Sequence, residues 1–345
     1  MKAIVFDRHG GVDVLAYKDV SVPEISSNEV LIRIKATAMN HNDLWARTGL
    51  PGMDFDFPHI SGSDASGIVE AVGDEVSRVR VGDEVVVNGA FSCRSCPQCL
   101  GGDPVLCPDF KIWGFQTGPL DGGQAEYARV HQASLMIKPD HLTWEEASSL
   151  PLVLVTAWRM LVTRGAIKPG DFVLIWGGTG GLGCMAIQIC SLFGAHAIAV
   201  VSGGKKAKFA RDLGAEYVID RKGQRVLREV AKITDRRGVD LVFEHVGTAS
   251  WETSVHALKW GGKIVICGAT SGFKVTTDLR FLWFKQQSHL GCHYGSPAEL
   301  EEAMGFVQQG RIRPVIGEIL PLEKTAEGHR LMESGELTGK IVLVP

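Results

Sequence analysis

The pattern of apolar and polar positions changes character near residue 144. Before it, short alternating runs ("KAIVF", "EVLIRIKATAM", "SGIVEAVG", "GDEVVV") are punctuated by Gly, Pro, Asn and Asp. A period of two places the apolar side chains on one face of a strand, so this stretch predicts a largely β, partly antiparallel unit. Beyond residue 144 the period lengthens. "TWEEASSLPLVLVTAWRMLV" has helical spacing, interrupted by Pro151. "DFVLIWGG", "HAIAVVS", "EYVID", "VDLVFEHV" and "KIVICG" read as strands, and helices are expected between them at "LGCMAIQICSLFG", "KKAKFARDLG", about 225–234 and about 251–259. Apolar strands alternating with helices predict an α/β fold with a doubly wound parallel sheet. After residue 290 the pattern is mixed, and "GKIVLVP" reads as a final strand.

Composition narrows the function classes. Of the 345 residues, 45% are hydrophobic and 22% charged, enough for a large core in two domains. The net charge is −3 without a contiguous basic block, which argues against nucleic acid or an anionic membrane as partner. No apolar run reaches the roughly eighteen residues of a spanning helix. The opening "MKAIVFDRHGG" alternates like a strand and lacks the apolar core of a signal peptide. A cytoplasmic location with reduced cysteines is therefore expected. Cys184, Cys190, Cys267 and Cys292 lie in apolar segments and read as small buried hydrophobes.

Two segments carry chemistry. In "VLIWGGTGGLGCMAIQI", Gly178, Gly180 and Gly183 form a G-x-G-x-x-G pattern directly after a strand and at the start of a helix. Such a loop lets backbone approach a pyrophosphate, whose charge then faces the helix N-terminus. Gly178, Thr179, Gly180, Gly181, Leu182 and Gly183 are accordingly expected to bind a dinucleotide. The following strand ends with Ser202 where an NAD-selective strand carries an acid, and Lys205, Lys206 and Lys208 follow. A hydroxyl and an ammonium suit a 2′-phosphate, so Ser202 and Lys206 predict NADPH. The second segment, "CRSCPQCLGGDPVLC", places Cys93, Cys96, Cys99 and Cys107 within fifteen residues. Four thiolates close a tetrahedral zinc site and leave no position for substrate. A ferredoxin loop opens similarly, but its last gap is three residues rather than seven and no second cysteine set is present.

These motifs, with "GGQAEYARV" and the terminal "GKIVLVP", resemble the medium-chain dehydrogenase/reductase superfamily from end to end. The resemblance implies a GroES-like catalytic domain over 1–152 and 291–345, and a Rossmann domain over 153–290. It also implies that the four cysteines hold the structural zinc of the zinc alcohol dehydrogenases. The catalytic zinc of that branch takes its ligands at positions occupied here by Asn40, Ser63 and Leu152, and Asn42 replaces the hydroxyl that relays the alcohol proton. A remade site from His41, His59 and Asp64 has no matching spacing. Asn40-x-x-Asp43 and Gly62-x-Asp64 look instead like the quinone oxidoreductase branch, although many of its members lack the four-cysteine lobe.

The expected activity is zinc-independent hydride transfer from NADPH to a quinone or α,β-unsaturated carbonyl. The roles expected for that chemistry are Asn40 as an amide donor facing the old metal site, and Asp43 and Asp64 as acids that hold the loops and water there. Trp45 and Arg47 would line the mouth, Thr156 and Leu182 would sit against the nicotinamide, and His41 would reach the pyrophosphate. A zinc-type alcohol dehydrogenase with a remade site, or an NADPH-binding protein without turnover, stays open. A small-molecule substrate is expected, with a homodimer or dimer of dimers joined near "KIVICG".

Overall fold

The alternating runs of the first half become strands of a seven-stranded sheet in the computed structural model, which describes residues 1–115 and 121–345. These residues divide into two units, Met1–Leu152 with Ser296–Leu300 and Pro314–Pro345, and Val153–Gly295 with Glu301–Arg313.

In the first unit the strand order is Ile316–Pro321, Lys340–Val344, Glu29–Ala38, Ala65–Val72, Glu84–Val87 and Leu135–Ile137, and Tyr127–His131 also pairs with Glu29–Ala38. Alternation works as expected in Glu29–Ala38: Val30, Ile32 and Ile34 are buried beside Val69, Val85, Val87 and Trp113. Each such side chain contributes about 1.5–3 kcal/mol by leaving water.

Register decides what meets at the end of this sheet. Val342 pairs with Ala38 and Leu343 with Thr37, while Thr37 also pairs with Ala65. The antiparallel ladders therefore carry Lys340, Asn40 and Asp64 to one end of three adjacent strands. Glu29–Ala38 then passes through Asn40 into the helix His41–Thr48.

The second unit is a six-stranded parallel sheet in the order Tyr217–Asp220, His196–Val201, Phe172–Ile175, Val239–Glu244, Leu258–Ile266 and Ser288–Gly291. Leu174, Ile198, Val239, Val242 and Ile264 form its fully buried core, which is why these strands read as continuous apolar runs. The order reverses between Phe172–Ile175 and its two neighbours, the switch point at which such sheets bind ligands.

Three boundaries differ from the sequence expectation. The helix expected to 259 is Trp251–Ala257, because Leu258 already pairs with Val239 in the sheet. Pro151 opens a helix, Pro151–Trp158, rather than merely interrupting one. Proline is suited to a first turn because the amide it lacks would have no helical partner there. The segment Arg159–Arg164 continues as a π-helical turn. Among the described residues no helix is long and apolar enough to cross a membrane.

Candidate functional site

Asn40, Asp64 and Lys340 form a buried network at the converging strand ends. Asp64 Oδ2 accepts from Asn40 Nδ2 at 2.8 Å and from Lys340 Nζ at 3.3 Å, and its Oδ1 accepts the Leu152 amide at 2.8 Å. Lys340 Nζ also donates to Asn40 Oδ1, and Asn40 Nδ2 reaches Ala38 O at 3.2 Å. Asp64 is fully buried and only 5% of Lys340 is exposed, so the charges must compensate one another rather than rely on water.

Asp43 forms the second layer. Its carboxylate accepts the Asn40 amide at 2.7 Å and the Gly62 amide at 3.1 Å, tying the start of the helix to the loop before Ala65–Val72. This closes one half of a capping box. Ser63 is also consumed, its Oγ accepting Asn42 Nδ2 at 2.7 Å. Burial pushes the Asp43 carboxyl up to about 7, against the two amides and the nearby ammonium that favour its charged form. Burial likewise raises Asp64 and lowers Lys340, each opposed by the other's charge.

Sequence reasoning missed Lys340. It stands 300 residues from Asn40 and heads an apolar strand, where a lysine ordinarily reads as a solvated strand end. The available signal was a pair of acids, Asp43 and Asp64, assigned to one site with no cation beside them in the local sequence.

Trp45 is half-buried on His41–Thr48, edge-on to His41 with ring centroids 4.9 Å apart and tilted against Phe115 at 6.5 Å. Phe55 extends this aromatic wall, 5.9 Å from Phe115. Arg47, expected at the mouth, is instead 2% exposed and ion-paired with Glu333. Its side chain points into the packing of the final helix, Thr325–Ser334, rather than to an opening. His59 Nε2 lies 3.0 Å from Gly114 O, and its ring packs on Phe6 at 5.3 Å. Among the described residues His41, His59 and Asp64 do not form a metal-ligand group.

The glycine loop lies in the second unit, between Phe172–Ile175 and the helix Gly181–Leu192. Its glycines do different work. Gly177, outside the G-x-G-x-x-G pattern, makes the turn with φ +57°. A Cβ on Gly183 would meet Gly177 O at 2.3 Å, and one on Gly178 would meet the Ala199 Cβ at 2.8 Å, so both serve close packing. A Cβ on Gly180 would come no nearer than 3.5 Å to protein, so the space before it is free for an approaching group. The helix start has neither a side-chain cap nor an acid in its first turn, leaving amides available to an anion. These features fit a dinucleotide pyrophosphate. Thr179 is buried, Gly181 and Leu182 are half-buried at the helix start, and Thr156 is buried in Pro151–Trp158. Ser202 follows the strand His196–Val201, and Lys206 is half-buried in the first turn of Gly204–Asp212.

Cys93, Cys96, Cys99 and Cys107 bring their sulfurs within 4.8 Å of one another. Cys93 Sγ is 3.5 Å from Cys107 Sγ and 3.9 Å from Cys99 Sγ. A zinc bound tetrahedrally at about 2.3 Å requires sulfurs roughly 3.8 Å apart, so the arrangement fits that metal. The Ser95 and Cys96 amides directed at Cys93 lower its thiol to about 6, favouring the ligating thiolate. Leu100 and Leu106 of this lobe are 77% and 65% exposed, so little apolar burial orders it.

Comparison with known proteins places this architecture. A family model described as alcohol dehydrogenase GroES-like domain matches residues 26–140, and one described as zinc-binding dehydrogenase matches residues 181–309. A crotonyl-CoA carboxylase/reductase of Cereibacter sphaeroides is 38% identical over 360 residues, covering 96% of this chain and 83% of that protein. The crystal structure of an NAD-dependent alcohol dehydrogenase matches with a TM-score of 0.95 at 40% identity, covering 100% of both chains. A 2-octenoyl-CoA carboxylase reductase in complex with NADP and 2-octenoyl-CoA matches with a TM-score of 0.91 at 32% identity, covering 99% of this chain and 87% of that one. All three are oxidoreductases by name. The chain belongs to the medium-chain dehydrogenase/reductase superfamily.

Proposed function

We propose that the protein is an NADPH-dependent reductase of activated alkenes, α,β-unsaturated carbonyl compounds or quinones, that works without a catalytic zinc. The observation that carries this reading is the Lys340–Asn40–Asp64 network. At the three positions where the zinc branch holds its catalytic metal, Asn40 and Ser63 have their polar atoms engaged by protein partners, and Leu152 offers only a backbone amide. An ammonium already balances the acid there. The relative bound to NADP and 2-octenoyl-CoA supports both the phosphorylated cofactor and the conjugated substrate.

The reduced nicotinamide, when bound, supplies the hydride for the carbon β to the carbonyl. The protein's part is positioning. Gly180, Gly181 and the free amides of Gly181–Leu192 hold the pyrophosphate, while Thr156 and Leu182 set the nicotinamide face. Trp45 offers a ring against which a flat conjugated substrate stacks. Asn40 serves as a strut rather than the substrate's donor, because both of its N–H groups already have protein acceptors. Asp43, Asp64 and Lys340 hold the loops that carry Trp45 and His41. The four cysteines would hold one Zn²⁺, whose contribution is to fold their lobe.

The alcohol dehydrogenase match favours a second reading, oxidation of an alcohol. One assay separates them. Loss of reduced-nicotinamide absorbance with an enone or 1,4-quinone is expected with NADPH, together with negligible reduction of NADP⁺ by simple alcohols. Efficient alcohol oxidation that rises with added zinc would overturn the proposal.

A further inference from the structure

Of the four cysteines outside the 93–107 lobe, Cys184 and Cys190 are buried, as their apolar segments predict, but Cys267 and Cys292 are only half-buried. These two are neighbours. The strands Leu258–Ile266 and Ser288–Gly291 run parallel with Ile266 paired to Gly291, so the next positions in register are Cys267 and Cys292. Hydrogen bonds fix both backbones: the Cys292 amide donates to Ile266 O at 2.8 Å, and the Cys267 amide donates to Glu244 O at 3.2 Å. Adjacent strands lie about 4.7–4.9 Å apart, within the roughly 4.4–6.8 Å that separates the Cα atoms of disulfide-bonded cysteines. Burial first, and then the proximity of Cys292, push the Cys267 thiol up.

Their place in the sheet gives the pair a consequence. Both stand just past the carboxyl ends of their strands, the end outside which doubly wound sheets bind ligands. The segment after Cys267 lies along the exit of the next strand, with the Thr270 amide donating to His245 O at 3.2 Å and the Ser271 amide to Val246 O at 2.8 Å. The segment after Cys292 is short, and at Ser296 the chain passes out of this unit. Within it Tyr294 is buried at φ +57°, a costly conformation for a residue with a side chain, and its carbonyl accepts the Cys292 thiol at 3.6 Å. A bond between the two sulfurs would join the roots of both segments.

We propose that Cys267 and Cys292 are a dithiol modification site, which hydrogen peroxide converts reversibly to a disulfide that hinders dinucleotide binding at this end of the sheet. The effect on the nucleotide rests on the NADPH reading above; the bond itself does not. In the first step Cys292 Sγ attacks a peroxide oxygen. The S–O bond forms, the O–O bond breaks, and the second oxygen leaves as water with the thiol's proton. Cys267 Sγ then attacks Cys292 Sγ. The S–S bond forms, the S–O bond breaks, and the hydroxyl leaves as a second water with the Cys267 proton. The two thiols lose two electrons and the peroxide gains them. The order follows from the surroundings: the thiolate is the reacting form, so the raised Cys267 thiol is the poorer first nucleophile. A half-buried disulfide is open to a small dithiol, whose attack reverses the step.

The test treats the full chain with hydrogen peroxide and then with a dithiol reductant. Trypsin places Cys267 in the peptide 264–274 and Cys292 in the peptide 286–311. Mass spectrometry should find the two joined after peroxide, lighter than their sum by two hydrogens, and separate again after reduction. Calorimetry should find NADPH bound roughly tenfold more weakly by the oxidised protein, with full recovery on reduction. Cys267→Ser and Cys292→Ser, each with an unchanged melting temperature before oxidation, should form no such link and hold their NADPH affinity within about twofold through the same treatment. Zinc analysis of every sample separates damage to the 93–107 lobe from this effect. A parent protein whose two peptides stay unlinked would overturn the proposal, as would a link that leaves NADPH affinity unchanged. Equal loss of affinity in the Ser variants would place the effect at other cysteines and overturn it too. If the reduced parent binds no NADPH, the cofactor reading fails, and the linked peptide alone decides the dithiol site.

Discussion

Replacing Lys340 with Met tests the buried network most directly. Methionine keeps most of the stem's volume and removes the ammonium. Asp64, fully buried, would then retain only the Asn40 and Leu152 donors. Removing one partner of a buried ion pair costs about 3–5 kcal/mol, because the remaining charge has neither water nor a counterion. For the unit of the sheet, this is a fall of roughly 6–20 °C in melting temperature, at about 2–4 °C per kcal/mol. The cost depends on pH. Asp64 has a folded pKa above its unfolded value, so its protonated form is favoured by folding at low pH and that advantage is lost as pH rises through the folded pKa. Loss of Lys340 raises the folded pKa further, so Lys340→Met should be mild near pH 4–5 and severe at neutral pH. Lys340→Met/Asp64→Asn, which leaves no net charge to compensate, should recover most of the loss. Chemical or thermal unfolding of the four proteins at several pH values completes the cycle. A Lys340→Met protein as stable as the parent at neutral pH would refute the reasoning. So would a double variant no better than the single.

Asp43→Asn should remove a titration. Because Asp43 is raised to about 7 in the fold, stability relative to the Asn variant is greatest below the unfolded value near 3.9 and falls by up to about 4 kcal/mol as pH rises through 7; parallel stability curves between pH 4 and 8 would contradict this. Cys96→Ser should lower bound zinc below one per chain and expose the 93–107 lobe to proteases, while initial rates with a quinone, measured well below the melting temperature, stay near the parent value; two zincs per parent chain by metal analysis would overturn the assignment. Gly183→Ala should disrupt the loop, since its Cβ would meet Gly177 O at 2.3 Å, whereas Gly180→Ala should fold and bind NADPH roughly tenfold more weakly. Identical melting curves and nucleotide affinities for these two variants would show that the glycines do not divide packing from binding.

Features encoded by neighbouring residues were legible without coordinates. The cysteine spacing over residues 93–107 needs only one short loop to converge, and the alternation in Glu29–Ala38 and the apolar runs of the parallel sheet report local burial. The glycine pattern marked the turn between strand and helix for the same reason. It did not say which glycine turns and which packs, because that depends on the approach of Gly177 O and Ala199 from outside the motif. The capping role of Asp43 was readable from its position three residues after Asn40.

What tertiary structure alone decided is the partner of Asp64 and the fate of Asn40. Antiparallel register aligns Lys340 with Asn40 and Asp64, although these residues come from opposite ends of the chain. Helix packing, equally invisible in the local sequence, buried Arg47 against Glu333. Sequence patterns specify which face of a strand is apolar. Which strand lies alongside, and in what register, follows from packing the whole sheet, and in this protein that register determines where the buried charges meet.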